Sequence, residues 1–171
     1  MTSDETLLRE FQSGSREAFE ELFARYREPL YGFFRRRLDS SERAEDLTQE
    51  TFLAVIRATS RYEPRASVRT YLYGIAMKLL WAERRKQGRN APATDATVEC
   101  AADEVLWVRQ AMEKLDSSER EILMLREYEQ LSYEEIAKLL LLPVNTVRSR
   151  LFRSRLALKN HLEPARRFHN V

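Results

Sequence analysis

Residues 132–155, Ser-Tyr-Glu-Glu-Ile-Ala-Lys-Leu-Leu-Leu-Leu-Pro-Val-Asn-Thr-Val-Arg-Ser-Arg-Leu-Phe-Arg-Ser-Arg, admit few folds. Ser132 followed three residues later by Glu135 forms a capping box, so a helix should begin there. Pro143 cannot sit inside a helix and turns Leu142 away from helical geometry. A second helix should open near Asn145 or Thr146, either of which can cap it. A short helix, a tight break and an arginine-rich helix make a helix-turn-helix.

At 100° per residue, Val147, Leu151, Ser154 and Leu158 share one stripe of that second helix, while Ser149, Phe152 and Arg153 lie opposite, flanked by Arg148 and Arg150. The apolar stripe is expected to pack and the other face to read DNA. Major-groove readers present the first turns of their second helix to base edges, where an arginine can hold guanine with two hydrogen bonds. Arg148, Ser149 and Arg153 are therefore the expected base contacts, with Phe152 against a thymine methyl. Arg150 and Arg155 are expected on phosphates, which position the helix without reading sequence. Charge segregation favours this over a solvated helix face: from residue 145 onward, seven cations, Arg148, Arg150, Arg153, Arg155, Lys159, Arg166 and Arg167, meet one acid, Glu163.

The 171 residues leave room for one compact domain or two small ones, and only four glycines and five prolines favour long helices. The fold class expected is all-α. A formal charge of +2 means that affinity for a polyanion must come from local patches, at 145–167 and at Arg84, Arg85, Lys86 and Arg89. The lone Cys100 excludes an intrachain disulfide and a cysteine-based metal site. Neither a membrane span nor a signal peptide is evident, Met1-Thr-Ser-Asp-Glu-Thr being acidic, so a cytoplasmic location is expected.

Gln87 to Asp103 packs worst, and a linker is expected there, dividing the chain into residues 1–88, a linker at 89–104 and residues 105–171. In the first part, Asp4–Gln12 reads as a helix closed by Ser13 and Gly14. A second follows Ser15 through Phe19, Leu22, Phe23, Tyr26, Leu30, Phe33 and Phe34, with Pro29 as a kink. A third starts at Asp39-Ser-Ser-Glu42 and packs through Ala44, Leu47, Phe52, Val55 and Ile56, with Glu45, Asp46, Gln49 and Glu50 on its other side. After Tyr62-Glu-Pro64, Ser67 caps a fourth helix to about Lys86, where Arg65, Arg69, Tyr71, Tyr73, Lys78, Trp81, Arg84 and Arg85 interleave rings and cations. Unpaired bases stack on such rings while cations follow the backbone; singly, each ring is more ordinarily a core residue. In the second part, one helix spans Val105–Leu115, and another starts at Asp116-Ser-Ser-Glu119 and packs through Ile122, Leu123, Leu125 and Tyr128. Leu139–Leu142 is a longer leucine run than one helix face can bury.

Asp46-Leu-Thr-Gln-Glu-Thr-Phe-Leu53, Arg69-Thr-Tyr-Leu-Tyr-Gly-Ile-Ala76, Leu131-Ser-Tyr-Glu-Glu-Ile-Ala137 and Pro143-Val-Asn-Thr-Val-Arg-Ser-Arg-Leu151, in this order, resemble the bacterial extracytoplasmic-function sigma factors over almost the whole chain. The resemblance implies that residues 1–88 are sigma region two and 105–171 region four. It implies that Asp46, Gln49, Glu50 and Phe52 dock on the clamp coiled coil of the β′ subunit of core RNA polymerase. The helix at 67–86, through Arg69, Tyr71, Lys78, Trp81, Arg84 and Arg85, would melt and capture the minus-ten element. Arg148, Ser149, Arg150, Phe152, Arg153 and Arg155 would meet the minus-thirty-five element as duplex. The implied partners are core polymerase through β and β′, promoter DNA as duplex and melted strand, and an anti-sigma factor. Three positions depart from the family's usual pattern: Tyr71 for tryptophan, Gly74 for a basic residue, and Lys78 for an asparagine that contacts the flipped minus-ten base. A lysine lacks the amide's paired donor and acceptor, so a different minus-ten preference is expected.

No Ser-His-Asp arrangement, metal-ligand spacing or phosphate-cradling glycine loop is present, so neither enzymatic activity nor a cofactor is expected. Two other readings stay open on the residues: a stand-alone dimeric helix-turn-helix regulator, which predicts a palindromic site, and a helical adaptor for acidic proteins, which predicts no steep salt dependence of DNA binding.

Overall fold

The computed structural model describes residues 2–63, 66–88 and 103–166, without side chains at 103–105 and 164–166. Arg65, Arg89, Cys100, Arg167 and His169 lie outside the described residues, as do residues 89–102, where the linker is expected. All regular structure described is helical. The chain separates into two compact units, residues 1–96 and 97–171.

The first unit holds α1 (Asp4–Gln12), α2 (Arg16–Arg35), α3 (Ser41–Ala58), a short 3-10 turn (Thr59–Arg61) and α4 (Val68–Gln87). Serines set all four starts: the hydroxyls of Ser3, Ser15, Ser40 and Ser67 each accept from a first-turn amide that would otherwise lack a partner. Gly14 closes α1 at φ +102°, a backbone shape that a side chain resists. Pro29 lies within α2, which continues through it to Arg35.

The core of this unit comes from one stripe of each helix. Leu22, Tyr26, Leu30, Phe33 and Phe34 of α2 are buried against Leu7 and Leu8 of α1, Leu47 and Val55 of α3, and Leu72, Tyr73, Met77 and Leu80 of α4. Rings cluster at one end, where Phe23 and Phe52 stand 4.7 Å apart between centroids and Phe19 meets Phe11 at 4.8 Å. At the other, Phe33 packs edge-on to Tyr73 at 5.6 Å. The acidic N-terminus is tied in: Asp4 accepts from Arg25 at 2.6 Å and from the Tyr26 hydroxyl. One expected packing residue is turned out, since Ile56 is 45% exposed. The α3 stripe that reaches the core runs through Leu47, Thr48, Thr51, Phe52 and Val55, and Ile56 lies just past its edge. The two threonines fit there because each hydroxyl bonds back to a carbonyl one turn earlier, at 2.7 Å.

The second unit holds α5 (Asp103–Glu113), α6 (Ser117–Glu127), α7 (Tyr133–Leu140) and α8 (Val144–Arg166). Its core is Ala111, Leu115, Ile122, Leu123, Leu125, Leu131, Ile136, Val147 and Leu151. Asp116 caps α6, and bonds from Ser118 and Glu119 hold its carboxyl below the usual carboxylate range. Arg120 closes the α5 end by donating to the carbonyls of Met112, Glu113 and Leu115 at 2.9, 2.7 and 3.1 Å. The Met112 and Glu113 carbonyls belong to the last turn of α5, where no helical amide follows to bond them. Tyr128, expected to pack, is instead 52% exposed, because α6 ends at Glu127 and the chain turns away beyond it.

Candidate nucleic-acid interface

In the helix-turn-helix, both halves of the capping box form: the Glu135 amide donates to the Ser132 hydroxyl at 3.1 Å, and the Ser132 amide to the Glu135 carboxylate at 2.8 Å. The break differs from the expectation in its chemistry. Leu141 takes a left-handed backbone, φ 54° and ψ 45°, while the Leu142 amide reaches back to the Ala137 carbonyl at 3.0 Å. A leucine held there costs roughly 1–2 kcal/mol. The leucine run is thereby split, with Leu139 buried and Leu141 89% exposed. Neither Asn145 nor Thr146 caps α8. The helix opens earlier, at Val144, and the Pro143 carbonyl receives the amides of Thr146 and Val147 at 2.9 and 3.1 Å. Proline suits that site because its own missing N–H would have had no helical partner.

The two faces of α8 fall as the periodicity requires. Val147, Leu151 and Ser154 are fully buried, and Ser154 is satisfied by donating to the Arg150 carbonyl at 2.9 Å. Arg148, Ser149, Phe152 and Arg153 are exposed, Phe152 by 69%. The Ser149 hydroxyl donates to the Thr146 carbonyl at 3.1 Å. With its proton so engaged, the exposed Ser149 oxygen is left to act as an acceptor. Arg155 is less available than expected. Its guanidinium holds Glu127 of α6 at 2.7 and 3.1 Å, raising its pKa, and so ties α8 to its own support.

On α4 the expected residues separate. Tyr71, Lys78, Trp81 and Arg85 share one face at helical spacing. Lys78 and Arg85 are exposed, Trp81 is 39% exposed and Tyr71 is half-buried. Tyr73 belongs to the core at 2% exposed. Arg69 falls about 160° round the helix from Tyr71, near Tyr26, whose phenol burial and the bond to Asp4 push up in pKa, an effect the Arg69 charge only partly offsets. Arg84 lies about 140° from Tyr71. Arg69 does not add to the ring-bearing face, whereas Arg84, three residues from Trp81, borders it.

Beside Tyr71 an open recess of about 510 Å³ is lined by Ala58, Arg61, Tyr62, Thr70 and Tyr71 among others. It is open to solvent, and Glu63 and Ala66 complete its lining. The rings of Tyr62 and Tyr71 meet at 4.7 Å and 55°, and partial burial pushes both phenols up in pKa. Arg61 and Tyr62 were not among the expected site residues. Tyr62-Glu-Pro64 reads as a chain break, and nothing local shows that the break folds back onto Tyr71.

On α3, Asp46 and Gln49 are exposed and Glu50 is half-buried. Phe52 corrects the expectation of a docking residue: it is 4% exposed and locked between Phe19 and Phe23. Leu53 and Ile56, 47% and 45% exposed, continue the row from Asp46 and Gln49 at spacings of four and three. Arg43 lies behind the acids, 3.3 Å from Glu50, 3.6 Å from Asp46 and 2.8 Å from Glu83 of α4. The Arg43 hydrogen bond holds the Glu83 carboxyl below its ordinary range against the opposing effect of burial, with Lys86 adding to it.

Among the described residues, no cluster of histidine, cysteine and carboxylates could hold a metal, and no helix is long and apolar enough to cross a membrane.

Residues 22–90 match the sigma-70 region 2 family and residues 106–158 the sigma-70 region 4 family. The chain is 32% identical to the RNA polymerase sigma-H factor of Pseudomonas aeruginosa, with 94% of each chain covered. It is 31% identical to the ECF RNA polymerase sigma-E factor of Escherichia coli K12, covering 95% of both. Among solved structures it resembles CnrH in complex with the cytosolic domain of CnrY, at 25% identity and a TM-score of 0.73, over 95% of this chain and 99% of that one. The fold is also that of the sigma factor RpoE from Bartonella quintana, solved with the anti-sigma factor NepR, at 22% identity and a TM-score of 0.69, over 85% of this chain and 96% of that one. With two sigma-70 regions in order and end-to-end similarity to such relatives, this chain belongs to the extracytoplasmic-function sigma factors of RNA polymerase.

Proposed function

We propose that this sigma factor binds core RNA polymerase through the exposed row Asp46, Gln49, Leu53 and Ile56 of α3, with Glu50 at its edge, and directs it to promoters through two separate DNA grips. Residues 1–88 supply the polymerase contact and the minus-ten grip, residues 105–171 the minus-thirty-five grip, and 89–104 the tether. In the second unit, Arg148, Ser149, Phe152 and Arg153 enter the major groove, and Arg150 follows phosphates. In the first, Tyr71, Lys78, Trp81 and Arg85 take the melted strand, with one base received in the recess beside Tyr71. Melting uses binding energy alone: an extruded base, costly to unstack, gains stacking on tyrosine and screening of its phosphates by cations.

The carrying observation is the ring-and-cation face of α4 beside an open recess, because a helix-turn-helix by itself would serve any regulator. Control by an anti-sigma factor belongs to the same proposal, supported by the fold shared with CnrH, which was solved with the cytosolic domain of CnrY. The test is run-off transcription from genomic DNA with core polymerase and the purified chain. Specific transcripts with opened DNA near minus ten are expected; no stimulation, together with tight binding to a palindrome, would establish a stand-alone regulator instead.

A further inference from the structure

The recess beside Tyr71 is not shaped by α3 and α4 alone. Arg61, Tyr62, Glu63 and Ala66, from between the two helices, also line it, and residues on either side of them, at Thr59 and Tyr62 and at Val68, are held by one face of α1. At the first end, the Gln12 side-chain amide donates to the carbonyl of Thr59 at 2.7 Å and to that of Tyr62 at 3.2 Å. Both partners are carbonyl oxygens, so only the NH2 group can face them, and each of its hydrogens has an acceptor. At the second end, the Glu5 carboxylate accepts from the Val68 amide at 3.3 Å, in the first turn of α4. That amide has no partner within the helix, and a carboxylate suits the positive end of the helix dipole. Glu5 and Gln12 are seven residues apart, two turns of one helix, with the buried Leu8 between them fixing the spacing.

The consequence falls on Tyr62. Its carbonyl is held by Gln12, its amide donates to Thr59 at 3.1 Å, its hydroxyl donates to the Ala66 carbonyl at 3.1 Å, and its ring meets Tyr71. Take away the Gln12 donors and the 3-10 turn loses its anchor to α1, leaving the Tyr62 ring freer to shift against Tyr71. The recess would keep its chemistry and lose its fixed outline. Base selection depends on that outline, since a group displaced by about 1 Å no longer meets the edge it was placed to read.

We propose that Gln12, with Glu5 at the other end of the connection, is a positioning residue for minus-ten base selection. The inference rests on the recess being the minus-ten subsite. Gln12 is exposed beyond its amide contacts, so its replacement leaves the core intact.

The experiment uses holoenzyme reconstituted with core polymerase and a promoter library randomised across the minus-ten element, comparing the native chain with Gln12→Met, Gln12→Ala and Tyr71→Ala. Methionine keeps the length and packing of glutamine without its donors; alanine serves should methionine disturb the fold. The expected result is a roughly three- to tenfold loss of preference at one minus-ten position, the size of one or two hydrogen bonds, with minus-thirty-five preference unchanged and the thermal midpoint lowered by only a few degrees. A uniform fall in transcription with selectivity retained would make Gln12 merely structural and overturn the proposal. So would native selectivity in Gln12→Met and Gln12→Ala alongside altered selectivity in Tyr71→Ala. Unchanged selectivity in all three variants, Tyr71→Ala included, would remove the recess itself from minus-ten recognition.

Discussion

Phe52 and Leu53 are neighbours in sequence, and the structure gives them opposite surroundings. Phe52 is 4% exposed with its ring 4.7 Å from Phe23 and 6.2 Å from Phe19, whereas Leu53 is 47% exposed in line with Asp46 and Gln49. Phe52→Ala removes a fully packed ring, at about 3–5 kcal/mol. For a unit of this size each kcal/mol is about 4–8 °C, so its melting should fall by roughly 12 °C or more. Such a loss is a large part of the 5–15 kcal/mol that holds a typical domain together. Leu53→Ala removes a side chain already half in water and should cost under about 1 kcal/mol of stability. On the docking face proposed for α3 the order should reverse: burying the exposed part of Leu53 against a partner is worth about 1 kcal/mol, or roughly fivefold in affinity. Calorimetry of the full chain and titration with labelled core polymerase read the two effects separately. If Phe52→Ala kept its melting temperature while losing polymerase affinity, with Leu53→Ala neutral in both, the assignment of faces on α3 would be wrong.

Arg153→Ala should lose roughly 1–3 kcal/mol at one minus-thirty-five position only, read by anisotropy on a panel of duplexes; an equal loss on every duplex would make Arg153 a phosphate contact. Glu127→Gln, which weakens the hold on Arg155, should strengthen DNA binding uniformly and steepen its salt dependence, and an unchanged slope would show that Arg155 does not reach the backbone. The Glu83 carboxyl is held low by Arg43, so its contribution to stability is present above its ordinary value of 4.5 and disappears as pH falls through the lower value in the folded chain. Glu83→Gln should therefore flatten the fall in melting temperature of the first unit on acidification from 4.5 down through that lower value, and a parallel curve would refute the pairing. Lys78→Asn should move the minus-ten preference in a promoter library toward that of asparagine-bearing relatives, an argument that fails if the native chain already selects their base.

The sequence by itself determined the helices and most of their starts, because capping and periodicity are local; the start of α8, at Val144 rather than at Asn145 or Thr146, is the exception. Ser3, Ser15, Ser40, Ser67, Asp116 and Ser132 each act within three residues of themselves. The reading face of α8 was legible for the same reason: a 100° step separates Val147, Leu151 and Ser154 from Arg148, Ser149, Phe152 and Arg153 whatever the neighbours are. Tertiary structure decided which candidates remain available. Arg155 is engaged by Glu127, 28 residues away, and Glu83 by Arg43 across 40. Phe52 is withdrawn by rings on α2, and Tyr62 enters the site because Gln12, 50 residues earlier, holds the turn that carries it. Periodicity says which side of a helix a residue occupies, but only the packing of other segments says whether that side faces core, partner or solvent.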